Sequence, residues 1–172
     1  MTDAHAAAAV PAKGTTPRWP RLALLIAAAF EFLTGLSDLP ILFGDLSQVP
    51  GPGIGGAIIV AKIVLTPVIA LAALFFAVRG RMLYAILAMA AALLLTWVSF
   101  LPSVAINGLE MTGMAGAATI YLIFLVPLLA LAGIVLALRG RLTPAIVLVV
   151  LPTFVGVAAT IAFAIGVAIY GF

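Results

Sequence analysis

Three charged side chains lie within stretches of the chain that are otherwise almost entirely apolar: Glu31, Asp38 and Lys62. A charge near the centre of a hydrocarbon layer costs at least about 2.5–3.5 kcal/mol, so such groups usually face protein or water. Glu31 and Asp38 are seven positions apart with Thr34 between them, which places all three on one face of a helix. Together with Lys62, these residues are the candidate binding groups of the protein.

The distance of each charge from its nearest basic flank predicts how deep it lies. Asp38 lies 16 residues from Leu22, and Lys62 lies 16 residues from Val78. At 1.5 Å per helical residue, both are about 24 Å from the same membrane boundary, on neighbouring antiparallel spans. The depths predict that Asp38 and Lys62 pair directly or through one water. The pair can serve as a structural lock or as part of a functional site.

Glu31 lies at a different depth, about 14 Å from that boundary and close to mid-membrane. No basic residue is predicted at its level. A carboxyl group without a charged partner in apolar surroundings favours its protonated form. Glu31 is therefore the hypothesised proton- or cation-responsive group, in a polar pocket between the first span and the second.

The composition indicates which elements carry these residues. Of the 172 residues, 66% are hydrophobic and 8% are charged, against roughly 25% charged in ordinary soluble domains. One membrane span needs about 20 apolar residues. We therefore predict an all-α integral membrane protein, with residues 1–20 as a flexible cytoplasmic tail and residues 21–172 as a single bundle of five transmembrane helices. The predicted spans are 22–43, 57–78, 82–103, 114–138 and 142–170.

The basic residues outside the spans predict the orientation. They precede the first span or lie in the turns Arg79-Gly80-Arg81 and Arg139-Gly140-Arg141, whereas the opposite loops carry Asp45 and Glu110 and no basic residue. Basic segments stay in the cytoplasm, so the N-terminus is predicted inside and the C-terminus outside. We expect a multi-pass protein of a bacterial cytoplasmic (inner) membrane.

An internal repeat links the second and third spans to the fourth and fifth. Residues 56–87 align without gaps on 116–147, with nearly half of the positions identical, including Pro67 with Pro127 and both Arg-Gly-Arg turns. The pattern predicts two hairpins of the same topology, 57–106 and 114–170, with the first helix (21–44) outside the duplication. Parallel repeats occur in transporters, but duplication can also build a helical bundle without that function.

The two repeated prolines lie near mid-membrane. Proline has no N–H, so Pro67 and Pro127 deprive the carbonyls of Ile63 and Ile123 of their helical donors. Each proline is predicted to kink its helix or to disturb its backbone. Such a site either improves packing or presents a polar backbone group to a cavity.

Several classes of function are disfavoured by the residue types. The chain has no cysteine and one histidine, His5 in the tail, so we expect no metal site, no cofactor and no thiol or imidazole catalysis. No nucleic-acid surface is predicted, because the basic residues are few and form no patch. We therefore do not expect an enzyme.

Three functions remain. The first is a permease or channel for a proton, a cation or a small polar solute, which uses the charges of the first two spans. The second is an accessory or assembly subunit, in contact with another membrane protein or with copies of itself. Small residues four apart suit such contacts, as at Gly133 and Ala137 or at Gly156 and Thr160. The third is lipid binding by the arginine turns. The permease interpretation is preferred, and the bilayer is the expected surrounding in all three.

Overall fold

The computed structural model describes residues 18–44, 53–109 and 111–171. The predicted tail as far as residue 17, the loop 45–52 that holds Asp45, and Glu110 lie outside these residues. In order, the helices are α1 (Arg18–Asp38), which continues as a 3-10 turn (Leu39–Phe43), α2 (Ile54–Val78), α3 (Met82–Asn107), α4 (Gly113–Ile120), a π-helical turn (Tyr121–Leu125), α5 (Val126–Leu138) and α6 (Leu142–Tyr170).

The prediction of an all-helical chain with five apolar spans is confirmed for the described residues. Five helical stretches there are long and apolar enough to cross a membrane. The fourth stretch combines α4, the π-helical turn and α5. α1 begins at Arg18, within the residues 1–20 that the sequence predicts to be a tail. Pro20 is tolerated there, since the first turn of a helix has no acceptor for the N–H that proline lacks.

The helices form a ring. α1 packs against α2, α2 against α3, α3 against α5, α5 against α6, and α6 against α1, while α3 and α6 also touch across the ring. α1 therefore fills the gap between the two hairpins, α2–α3 and α5–α6. This placement turns one side of α1 towards α2 and the other towards α6.

The two hairpin turns have the same local geometry. Gly80 and Gly140 have φ angles of +73° and +76°, which L side chains rarely adopt. The amide of Arg81 donates to the carbonyl of Phe76 at 2.9 Å, and the amide of Arg141 donates to the carbonyl of Leu136 at 2.9 Å. Both turns are Schellman caps, in which glycine allows the reversal and the next amide satisfies a carbonyl of the helix end.

Both turns and the beginning of α1 lie at one end of the bundle, which we call the arginine end. Arg21 Nη2 donates to the carbonyl of Val78 at 2.7 Å, so α1 begins beside the end of α2. The guanidinium of Arg79 lies 4.3 Å from the ring centroid of Phe75, within the range of a cation–π contact. The arginines at this end are solvent-exposed.

The hydrophobic core lies at and next to the arginine end. Four alanines on the two hairpins, Ala77, Ala85, Ala137 and Ala145, are at most 3% exposed. Small side chains let helix backbones approach closely, and close packing is a main source of helix association in lipid. The largest fully buried side chains complete this alanine core: Leu24, Ile86, Met89 and Val149. The arginine half of the ring is therefore filled with packed side chains.

Candidate functional site

Further from the arginine end, the centre of the ring holds a partly open cavity of about 280 Å³, which we call the central cavity. All five spanning stretches contribute to its wall. Every predicted binding residue lines it, and its polar lining residues are Glu31, Thr34, Asp38, Lys62, Thr66, Thr96, Tyr121, Thr153 and Thr160. Polar side chains that are scattered along the sequence thus meet in one place.

Glu31 is held by a hydrogen bond from α6. The hydroxyl of Thr153 donates to Glu31 Oε1 at 2.7 Å. The sequence offered no partner for Glu31 and placed its pocket between the first two spans. The structure adds α6 to that pocket, because α1 lies between α2 and α6 and Glu31 is on the side that meets α6. One carboxylate oxygen is thereby oriented by the protein.

Asp38 and Lys62 both line the central cavity. In the described part of the chain, their side chains form no direct ion pair. Their place in one cavity agrees with the similar depths predicted for them, but their side chains do not touch directly. A water-bridged pair stays a prediction.

Four polar side chains on the wall have no protein partner among the described residues: Thr34, Asp38, Lys62 and Thr96. No described side-chain polar atom is both buried and without a hydrogen bond. These four side chains therefore present their polar atoms to the cavity or to solvent. When Glu31, Asp38 and Lys62 are all ionised, the cavity carries one excess negative charge.

Two threonine hydroxyls are already used by their own helices. Thr66 Oγ1 donates to the carbonyl of Lys62 at 2.7 Å, and Thr160 Oγ1 donates to the carbonyl of Gly156 at 3.0 Å. Such bonds to the residue four positions earlier satisfy a hydroxyl in apolar surroundings. Thr66 and Thr160 shape the wall, whereas the unpartnered side chains are the ones free to meet a ligand.

The π-helical turn lies directly before α5. The amide of Val126 donates to the carbonyl of Tyr121, five residues earlier. The carbonyl of Ile123, which Pro127 deprives of its helical donor, accepts the indole N–H of Trp97 at 3.0 Å. π-helical turns are frequent at functional sites, and this one contributes residues to the cavity.

A second bond crosses from the π-helical turn to α6. The hydroxyl of Tyr121 donates to the carbonyl of Pro152 at 3.1 Å. Pro152 precedes Thr153, the residue that holds Glu31. Two adjacent residues of α6 are thereby hydrogen-bonded, one to the π-helical turn and the other to the carboxyl group of Glu31.

The other repeated proline has a different neighbour. α2 runs from Ile54 to Val78 with Pro67 inside it, and Gly35 of α1 lies directly against this proline. A Cβ atom added to Gly35 would be 2.9 Å from both the N and Cδ atoms of Pro67. Only glycine fits at this crossing, which sets how closely Thr34 and Glu31 approach α2.

One of the small-residue pairs proposed for partner contacts is used within the chain. Gly133 and Ala137 are buried, and a Cβ atom on Gly133 would lie 2.6 Å from Val149 Cγ1 of α6. This pair packs α5 on α6 and presents no external face. Gly156 and Thr160 line the central cavity instead.

Sequence reasoning missed Thr153, Tyr121 and the hydrogen bond of Trp97. Thr153 lies 11 residues from the start of α6, about 16 Å along the helix axis, which is close to the depth of Glu31. Depth matching could therefore have found it. Comparisons with protein-family models, with curated proteins and with solved structures found no match to this chain.

Proposed function

We propose that this protein is a small permease that binds a proton, a cation or a small polar solute in the central cavity and passes it across the membrane. The observation that supports this most is the Thr153–Glu31 hydrogen bond. It holds a carboxyl group at a cavity wall that also carries Asp38, Lys62 and Thr96, whose side chains have no partner within the described ranges. Residues that served only stability could be apolar at lower cost.

Glu31 is the group that exchanges its occupant. Thr153 orients one carboxylate oxygen, and the second oxygen accepts no hydrogen bond from the residues that the structure describes, which leaves it to a ligand in this proposal. A carboxylate oxygen can bind either a proton or a cation, so the two are alternative occupants of the same oxygen. The other ionisable groups on the described cavity wall are Asp38, Lys62 and Tyr121.

The proposed orientation places the arginine end in the cytoplasm, because arginines in short connections stay inside. The central cavity then lies towards the outer side. Its ligand arrives from outside, and the alanine core separates it from the cytoplasm. Transport requires this core to repack, so the protein works by a conformational change and not as an open channel. Residence in a bacterial cytoplasmic membrane stays a prediction of the sequence.

The orientation can be measured by cysteine labelling, because the chain has no native cysteine. We expect Arg81→Cys and Arg141→Cys to react only from the cytoplasmic side, and Gly171→Cys only from the outside. Labelling of Arg81→Cys and Arg141→Cys from opposite sides contradicts the five-span arrangement.

We also infer that the two hairpins are a duplicated unit related by an axis along the membrane normal. The matching caps at Gly80 and Gly140 support this inference. An experimental structure tests it by superposition of α2–α3 on α5–α6 by a rotation about the membrane normal. Superposition that required inverted topology would contradict it.

The experiment on function uses Glu31→Gln, which keeps the shape of the side chain and removes its ionisation. Purified protein in proteoliposomes is tested for uptake of radiolabelled methylammonium and for proton movement reported by a trapped pH-sensitive dye. We expect Glu31→Gln to abolish the pH dependence of uptake with almost no change in Tm. Thr153→Val removes the donor to Glu31 and should weaken uptake, whereas Thr160→Val, on the same wall but bonded to its own helix, should not.

Uptake by Glu31→Gln that equals wild type at every pH contradicts the proposal. So does a purified complex in which Glu31 contacts a partner subunit. In either case the accessory-subunit function takes its place.

The accessory function is a second candidate because the outer half of α6 is exposed. Val155, Ile161, Ile165 and Ile169 are 40–66% exposed, and such an apolar helix surface suits lipid or a partner helix. The mass of the protein purified in mild detergent distinguishes the two. A single chain at wild-type activity favours the permease, whereas stable co-purification of another membrane protein favours the accessory subunit.

A further inference from the structure

A second cavity of about 420 Å³ lies beside the central cavity, between the outer end of α3 and the segment that includes α4 and the π-helical turn. We call it the lateral cleft. Phe100, Leu122 and Ile123 form its apolar inner end. Ser103, Val104 and Thr119 lie further out, followed by Asn107, whose Nδ2 donates to Ser103 Oγ at 3.3 Å. The cleft therefore becomes less polar from its outer end inwards.

The lateral cleft exists because α4 stands apart from the ring. Within the described part of the chain, α4 has close backbone contacts only with the π-helical turn that follows it. α3 packs on that turn and on α5 but has no close contact with α4. The described part of the ring is therefore open between α3 and α4, in the half far from the arginine end.

A single apolar side chain belongs to both cavities. Leu122, in the π-helical turn, lines the central cavity and the lateral cleft. In the repeat it occupies the position of Lys62. The indole of Trp97 holds the carbonyl of Ile123, the next residue. Leu122 thus separates the charged central cavity from the apolar inner end of the lateral cleft, and it belongs to a turn with irregular backbone.

We propose that the lateral cleft is a side entrance to the central cavity, and that the ligand is an amphiphilic amine with a small cationic head and a short alkyl chain. This rests on the proposed function and specifies its ligand class. The head meets the excess negative charge of the central cavity at Glu31 and Asp38. The chain lies past Leu122 against Phe100 and Val104, where each buried CH₂ group strengthens binding about fourfold.

The test compares octylammonium with methylammonium as probes, in nanodiscs that hold the purified protein, with empty nanodiscs as background. We expect octylammonium to bind at least about tenfold tighter than methylammonium. Val104→Trp fills the lateral cleft alone and should weaken octylammonium binding about tenfold while leaving methylammonium binding unchanged. Leu128→Trp is the matched control, because Leu128 is 62% exposed on α5 and lines neither described cavity.

Leu122→Ala is an independent second variant. It widens the partition and should strengthen octylammonium binding by about threefold or more. If Val104→Trp loses both probes through poor folding, the Leu122→Ala result decides.

The two proposals fail in different ways. Methylammonium binding that depends on Glu31, with octylammonium no tighter and insensitive to Val104→Trp and Leu122→Ala, overturns the side entrance and leaves the proposed function standing. Binding of both probes that is indifferent to Glu31→Gln overturns the proposed function. Failure of both probes to bind overturns both.

Discussion

The two hairpins differ in one half and agree in the other. At the arginine end, Gly80 and Gly140 reverse the chain with φ angles of +73° and +76°. Towards the central cavity the two hairpins have different residues at equivalent positions of the repeat. Lys62 in the first hairpin corresponds to Leu122 in the second, and Leu93 corresponds to Thr153. The second hairpin alone has the π-helical turn among the described residues.

This difference indicates which parts of the repeated sequence serve the fold and which parts differ between the two hairpins. The turns and the alanines beside them build the closed half in the same way twice. The outer halves carry residues that occur once, such as Lys62 and Thr153, and these line the cavity. A polar residue that breaks the repeat is thus a better functional candidate here than one that obeys it.

The largest expected effect on stability comes from replacing Lys62 by leucine, the residue that the second hairpin has at the equivalent position 122. Lys62→Leu removes the cation that lines the central cavity together with Asp38. Loss of the predicted water-bridged pair leaves the Asp38 carboxylate without a counter-charge and is expected to lower the free energy of unfolding by up to about 3 kcal/mol. Asp38→Asn with Lys62→Leu removes both charges and should cost less than the sum of the single changes. Unfolding titrations in detergent measure all three; strictly additive losses contradict coupling between the two residues.

Alanine substitutions at Gly35 and Gly133, two glycines at which helices pack closely together, should destabilise the protein by different amounts. In Gly35→Ala the new Cβ meets the backbone N and the ring of Pro67 at 2.9 Å, so α1 and α2 must separate, at about 1–3 kcal/mol. In Gly133→Ala the Cβ meets the end of the Val149 side chain, and the first hairpin already has Ala73 at this position. We expect a smaller loss of stability for Gly133→Ala. Equal losses would show that the two crossings are equally rigid.

The two turns should respond alike to substitution. Gly80→Ala and Gly140→Ala introduce a Cβ at positive φ, with no atom within 4 Å of it, so backbone strain alone sets the cost, about 1–2 kcal/mol in each case. Gly166→Ala is the control, because Gly166 is helical and has the same open space. It should be neutral or stabilising. Clearly unequal losses of stability for Gly80→Ala and Gly140→Ala would show that the two turns are not energetically equivalent.

The smallest expected effect concerns the π-helical turn. Trp97→Phe removes the donor to the carbonyl of Ile123, and hydrogen bonds inside membrane proteins contribute about 0.6 kcal/mol on average. A loss of that size is expected, whereas Trp19→Phe, on a side chain that is 56% exposed, should change stability very little. Equal Tm values for Trp97→Phe and wild type would show that the indole does not support the turn.

The position of a residue along its helix could be estimated from the sequence, because a helix rises by 1.5 Å per residue from a recognisable boundary. This estimate placed Asp38 and Lys62 at one level and Glu31 nearer the arginine end. All three charges do line one cavity. The spans themselves were predicted because each needs a long apolar run, whatever its neighbours are.

The order of the helices around the ring could not be predicted in the same way. A helix that is apolar on every side carries no stripe to show which face meets protein. The contact of Glu31 with Thr153 depends on α1 lying between α2 and α6, and the bond of Trp97 depends on α3 lying beside the π-helical turn. Neither arrangement leaves a periodic signal in the sequence.

The packed alanine core has an electrical consequence. A membrane voltage falls mainly across the part of a protein that excludes water, and one elementary charge that crosses 100 mV changes its energy by about 2.3 kcal/mol. In the proposed orientation and function, a water-filled central cavity would keep Glu31 near the potential of the outer solution, and nearly the whole voltage would fall across the arginine half. Arrival of a cation at Glu31 would then be almost independent of voltage, whereas its passage through the alanine core would be driven by it.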